Sequence, residues 1–146
     1  MFPRCIYASR GIFVYMDTLC LYLFVYGTLL DADNEFAVFM RRHCCFVKKG
    51  KFKGRLYDIG EYPGAVSDFK VDGYVYGSIY LMDNVMLVLE KLDDYEGYGP
   101  EQEPPNLFIR QLVEIETNSR TIDCWVYLYG RDVERLRVIE DGNWTK

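Results

Sequence analysis

The sequence predicts an α+β domain whose sheet is strongly curved or closed on itself. Three observations lead there. Short apolar or alternating segments recur from Leu21 to Tyr129 between turns bearing glycine and proline, while only two segments carry helical periodicity. Thirteen tyrosines stand against one histidine, and tyrosine suits the half-buried face of a strand. At 146 residues, half of them apolar, the chain has the length and balance of one folded domain with one core. Residues 21–146 are expected to form it, with residues 1–20 as an N-terminal extension; no internal repeat or linker divides the rest.

Leu21 to Tyr26 sets Leu21, Leu23 and Val25 on one face and Tyr22, Phe24 and Tyr26 on the other, the pattern of a strand covered on both sides. Gly27 ends it. Asp31 or Asp33 can cap the first helix, whose apolar positions Phe36, Phe39, Met40, Phe46 and Val47 carry it to Lys48-Lys49-Gly50. Phe52 to Tyr57 and Ala65 to Phe69 read as short strands about the turn Gly60-Glu61-Tyr62-Pro63-Gly64, and Tyr74 to Leu81 as a longer one. Asn84 caps a second helix that Gly97 stops, and a loop rich in Pro, Gly and Glu runs from Tyr98 to Asn106. Phe108 to Glu116 and Ile122 to Tyr129 are the last strands, before a tail that reaches Trp144.

Net charge and cysteine usage narrow the function classes. A net charge of −5 argues against nucleic acid as a partner, because that binding neutralises phosphates with Lys and Arg. The basic run Lys48, Lys49, Lys51, Lys53 and Arg55 reads as a helix end followed by the solvated face of a strand. Cys5, Cys20, Cys44, Cys45 and Cys124 form no Cys-x-x-Cys pair and read as free thiols of a reducing, cytoplasmic compartment; no metal site is expected. The lone His43 falls among the apolar positions of the first helix and reads as a packed histidine. Asp17 interrupts the apolar stretch from Ile12 to Leu30, leaving about a dozen residues, too few to span a membrane.

One carboxylate breaks the pattern of the second helix. Val85, Val88, Leu89, Leu92 and Glu96 share a narrow arc at 100° per residue, so Glu96 continues a stripe that elsewhere is aliphatic. Burial there raises its pKa, and the negative end of the helix dipole acts in the same direction. Such a group can take and return a proton. The competing reading is that the helix frays at Asp94 and Glu96 points to water. The Tyr26-Gly27-Thr28-Leu29 turn, between a strand and a helix, either gathers backbone N–H groups around an anion or is a plain connection. A nucleophilic pairing of Cys124 with His43 ranks below an acid/base role for Glu96.

These residues resemble the γ-glutamylcyclotransferase-like family, also known as avirulence-induced-gene-like proteins. Leu23-Phe24-Val25-Tyr26-Gly27-Thr28-Leu29 is similar to its opening strand and turn, and Tyr62-Pro63-Gly64-Ala65-Val66 to its Tyr-Pro segment. Val75-x-Gly77-x-x-Tyr80 follows, and Leu92-Asp93-x-x-Glu96-Gly97 resembles the motif that carries the family's catalytic glutamate. Phe108-x-Arg110, Trp125-Val126-Tyr127 and Asp141-Gly142-Asn143-Trp144 resemble the closing segments. Phe108 stands where a tyrosine is more usual and Ser78 where many members have an acidic residue, departures that bear on substrate choice.

The resemblance implies a small mixed-sheet β-barrel flanked by helices, and a reaction that needs no cofactor. The α-amino nitrogen of a γ-glutamyl compound attacks its own γ-carbonyl, giving 5-oxoproline and a free amine. Glu96 is the implied acid/base, and Tyr26, Gly27, Thr28 and Leu29, with Arg110, the implied substrate-binding residues. An arginine on a strand is more often a surface or structural ion-pair partner, which is the competing reading of Arg110. The rival reading is a protein that binds a small ligand or a partner on the same fold without turnover.

Overall fold

Leu23 and Phe24 are adjacent in the chain and point to opposite faces of one strand, yet they are only 1% and 2% exposed. That strand, β1 (Tyr22–Val25), therefore has a core on each side. The computed structural model describes residues 20–27, 33–99 and 107–144. Helix α1 (Glu35–His43), strands β2 (Cys44–Asp58), β3 (Pro63–Ser67) and β4 (Tyr74–Met82), and helix α2 (Val85–Glu96) follow β1. Strands β5 (Phe108–Glu116), β6 (Thr121–Tyr129) and β7 (Arg137–Ile139) complete the order. The expected extension lies outside the described residues except for Cys20.

Five strands close a barrel in the order β2-β4-β1-β6-β5, with β5 returning to β2 at the pair Lys51 and Glu116. The β1–β6 contact is parallel and the others antiparallel, which makes the sheet mixed. The far half of β2 leaves the barrel and pairs with β3 and β7 instead. Phe24, Phe52, Leu56, Val75, Ile79 and Ile115 fill the barrel interior, Phe24 meeting Phe52 edge to face at 5.7 Å. On the outer face, Leu23 and Met82 meet Met40 of α1 and Val88, Leu89 and Leu92 of α2. Burying side chains of this size contributes roughly 1.5–3 kcal/mol each before the entropy of ordering them is counted.

Helix α1 departs from the expected boundaries at both ends. Its cap is Asn34, whose Oδ1 accepts from Ala37 N at 2.8 Å, rather than Asp31 or Asp33. It stops at His43, and Cys44 to Gly50 pair with Met82 to Gly77 of β4 instead of continuing the helix. Cys44, Phe46 and Val47 fit a helical face, but they fit a strand as well. A long ladder along β4 satisfies most of the backbone groups of this segment and outweighs the weaker local preference. A register shift between Phe46 and Lys48 absorbs the change. The last turn is thus Arg41-Arg42-His43, and Lys48 and Lys49 lie on a strand.

Helix α2 keeps its expected limits. Asn84 Oδ1 accepts from Leu87 N at 3.2 Å, and Gly97 closes the helix in the left-handed region at φ 74°. The Gly97 and Tyr98 N–H groups both donate to Asp93 O. Among the described residues no helix is long and apolar enough to cross a membrane.

Candidate functional site

The helix stripe ends where the barrel opens. Val85, Val88, Leu89 and Leu92 are buried against the outer face of the sheet, while Glu96, one turn beyond Leu92, reaches the rim of a cavity of about 380 Å³. Tyr26 and Gly27 at the end of β1, Tyr62 and Pro63 at the start of β3, and Phe108 of β5 supply other walls. The volume is that of a small-molecule site.

Glu96 is half-buried, and burial pushes its carboxyl up to about 7. Among the described residues no cation pairs with it. Desolvation without a compensating charge favours the neutral acid, and a value near neutrality lets the group hold or release a proton under ordinary conditions. The helix runs through Glu96 and closes at Gly97, so it does not fray at Asp94, which is exposed.

Tyr26 serves the cavity with its ring. Its hydroxyl donates to Tyr127 O at 2.6 Å and accepts from Ala65 N at 3.2 Å, tying the end of β1 to β6 and β3. Burial pushes this phenol far up, the Ala65 N–H opposes the shift, and the Glu96 charge adds to it. Gly27 is not in the left-handed region; a side chain there would meet Pro63 Cγ at 3.2 Å, so the glycine serves close approach rather than an unusual turn. Thr28 and Leu29 lie outside the described residues.

Arg110 is held elsewhere. Its Nε lies 3.3 Å from Asp93 Oδ1, and its guanidinium sits 5.0 Å from the Trp125 ring and 5.7 Å from the Tyr98 ring. It is absent from the cavity wall. Asp93 also accepts from the Tyr127 hydroxyl at 2.6 Å. Burial first, and then the Asp93 bond, push the Tyr127 phenol up, so it remains a neutral donor. Since Tyr127 lines the cavity, Asp93 and Arg110 brace its wall from behind.

Other residues take places that periodicity did not assign. Glu61 reaches the cavity rim from the turn before β3, a position with no pattern to distinguish it from other exposed turn residues. Phe108 lines the cavity, packing 6.1 Å from Tyr62 and 5.9 Å from Tyr129, so the departure at this position does bear on the site. Ser78 does not line the Glu96 cavity; it lies on β4 against Lys49. The half-buried His43 pairs through Nδ1 with Asp83 Oδ1 at 2.9 Å, whereas Cys124 is fully buried in the interior cluster. No group of metal-ligating side chains occurs among the described residues.

Comparison with known proteins agrees with this geometry. Residues 23–146 match the family model described as gamma-glutamyl cyclotransferase, AIG2-like. The gamma-glutamylcyclotransferase family protein YtfP of Citrobacter rodentium is 39% identical over 122 residues, covering 84% of this chain and 93% of that protein. The solution structure of YtfP from Escherichia coli is similar with a TM-score of 0.60 at 28% identity, over 86% of this chain and 96% of that one. The crystal structure of an AIG2-like protein from Mus musculus shares the fold, with a TM-score of 0.60 at 23% identity over 82% of this chain and 86% of that one. With residues 23–146 matching the family model and a 39% identical relative covered over 93% of its length, the chain belongs to the gamma-glutamyl cyclotransferase, AIG2-like family.

Proposed function

We propose that this protein is a γ-glutamyl cyclotransferase that converts a γ-glutamyl amine or γ-glutamyl amino acid into 5-oxoproline and a free amine, with Glu96 as acid and base. The observation that carries the reading is a carboxyl group raised to about 7 on the wall of a ligand-sized cavity, without a neutralising cation among the described residues. In the reaction the substrate's α-amino nitrogen forms a bond to its own γ-carbonyl carbon. Glu96 takes the proton this nitrogen loses and returns it to the departing amine as the original amide C–N bond breaks. Nucleophile and electrophile share one molecule, so the site's main task is to fold them together, and the aromatic walls of Tyr26, Tyr62 and Phe108 suit that task.

The test is a panel of γ-glutamyl compounds incubated with the purified protein and with Glu96→Gln, with 5-oxoproline and released amine followed by mass spectrometry. Glutamine keeps the shape and can hydrogen-bond but cannot shuttle a proton. Turnover is expected to fall roughly 10²-fold or more, with binding and fold retained. Asp94→Asn, two residues away and exposed, is the control. Near-normal 5-oxoproline formation by Glu96→Gln would remove Glu96 from the mechanism. Free glutamate as product would point to amide hydrolysis, and tight binding without product to a binding protein.

A further inference from the structure

The basic run of β2 is organised by its neighbour. Lys49, Lys51 and Lys53 stand opposite Ser78, Tyr76 and Tyr74 of β4, and cross-strand partners share a face, so lysines and tyrosines form one ladder on the outside of the barrel. At its upper end a second cavity of about 510 Å³ opens between Phe46, Lys49, Tyr76, Ser78 and Trp144. We propose that this cavity is a second ligand site, taking a small anion that carries a planar aromatic ring.

Charge is the first reason. Among the described residues that line the cavity, Lys49 carries the one charged side chain, and none is an aspartate or glutamate. Its Nζ meets the neutral Ser78 hydroxyl at 3.2 Å. Lys48 reaches Ser119 Oγ at 3.0 Å, Lys51 lies 4.2 Å from the Tyr74 ring centroid, and Lys53 donates to Val71 O at 3.2 Å. Among the described residues none of these four ammonium groups is in an ion pair, although Glu116 stands opposite Lys51 across the β2–β5 contact. A positive stripe with no ion pair among the described residues, on a chain of net charge −5, draws anions to one place.

The second reason is the aromatic surface beside that charge. Phe46 is 56% exposed and Tyr76 39% exposed, and with Trp144 they line the cavity, which gives it aromatic surface suited to a planar group. The Glu96 cavity has the opposite character, with two carboxylates, Glu61 and Glu96, and no cation among the described residues of its wall. Among the described residues the two cavities share Val25, Tyr26 and Gly27. A ligand that brings its own negative charge is favoured at the Lys49 side.

The full chain is titrated with adenosine 5′-monophosphate, 4-hydroxybenzoate, adenosine and inorganic phosphate, and followed by residue-resolved amide shifts. The first two probes separate a phosphate-bearing from a carboxylate-bearing ligand. At least one of them is expected to saturate with a Kd below about 1 mM, about 10-fold or more tighter than adenosine or phosphate. Shifts should centre on Lys49, Gly77 and Ser78. Lys49→Glu, at an exposed position, should weaken that binding about 10-fold or more. Phe46→Ala should weaken the ring-bearing anion while leaving phosphate unchanged, and Glu96→Gln should leave its affinity as in the parent. The last arm separates this site from the proposed catalytic one. Ring-bearing anions that bind no better than phosphate, a folded Lys49→Glu with unchanged affinity, or shifts centred on Glu96 would overturn the assignment. Should Lys49→Glu not fold, Lys49→Gln carries the same test.

Discussion

Two carboxylates three residues apart on α2 are treated in opposite ways by the fold. Asp93 receives the Tyr127 hydroxyl and the Arg110 guanidinium, which suit a charged acceptor. Glu96 receives no cation and is desolvated, which suits a proton carrier. Its pKa of about 7 lies above the ordinary value of 4.5, so the native state binds this proton more tightly than the unfolded chain does. The stabilisation that follows is fully present below about pH 4.5 and is lost as pH rises to about 7. The melting temperature of Glu96→Gln, measured against the parent, should therefore gain between pH 4.5 and 7 and stay level above that range. The rate has its own signature. If Glu96 must be ionised to accept the amine proton, kcat/KM should climb with pH through about 7, and a profile flat across neutrality would contradict that role. For Asp93, a thermodynamic cycle combining Asp93→Ala with Tyr127→Phe should show coupling of ~1 kcal/mol, because either change alone removes the 2.6 Å bond between them.

Strands β1 and β4 are the elements that hold the two cores together. Gly77 of β4 sits where a side chain would collide with Val25 O and come within 2.7 Å of Phe24 Cζ. Backbone is on one side and a buried ring on the other, so neither yields cheaply. Gly77→Ala should destabilise the protein by ~2 kcal/mol or more in chemical denaturation, with β1 losing protection from amide exchange before β5. Equal loss across the sheet would mean that β1 and β4 do not form the weak seam. The same seam carries Val25 to Gly27, which line both cavities.

Across the whole molecule, closure of the barrel joins residues far apart in sequence. Lys51 meets Glu116, and Leu23 meets Trp125 in the parallel contact. The inner and outer clusters both depend on β1, through Phe24 and Leu23 respectively, so neither can form alone. Unfolding should be a single transition, coincident by tyrosine fluorescence and far-ultraviolet dichroism, with refolding on the millisecond-to-second scale of non-local sheets. Two separated transitions would show that the helical face melts independently of the barrel.

The sequence by itself determined the elements whose signals are local. Asn84 and Gly97 bracket α2 because capping and left-handed closure depend on a few adjacent residues, and the aliphatic stripe carried Glu96 to the cavity wall for the same reason. The alternating strands from Tyr74 onward were legible on period alone, and the family motifs added barrel closure and the expected chemistry. What only the tertiary structure decided depends on partners distant in the chain. Cys44 to Gly50 suited a helix until β4 supplied a ladder, and the pairing of Arg110 with Asp93 is visible only in the fold. Lys49 and Ser78 became one cavity wall through strand register, which no local pattern encodes. Periodicity chooses a face, but the neighbour that face meets is chosen by packing and by the satisfaction of buried backbone groups across the whole sheet.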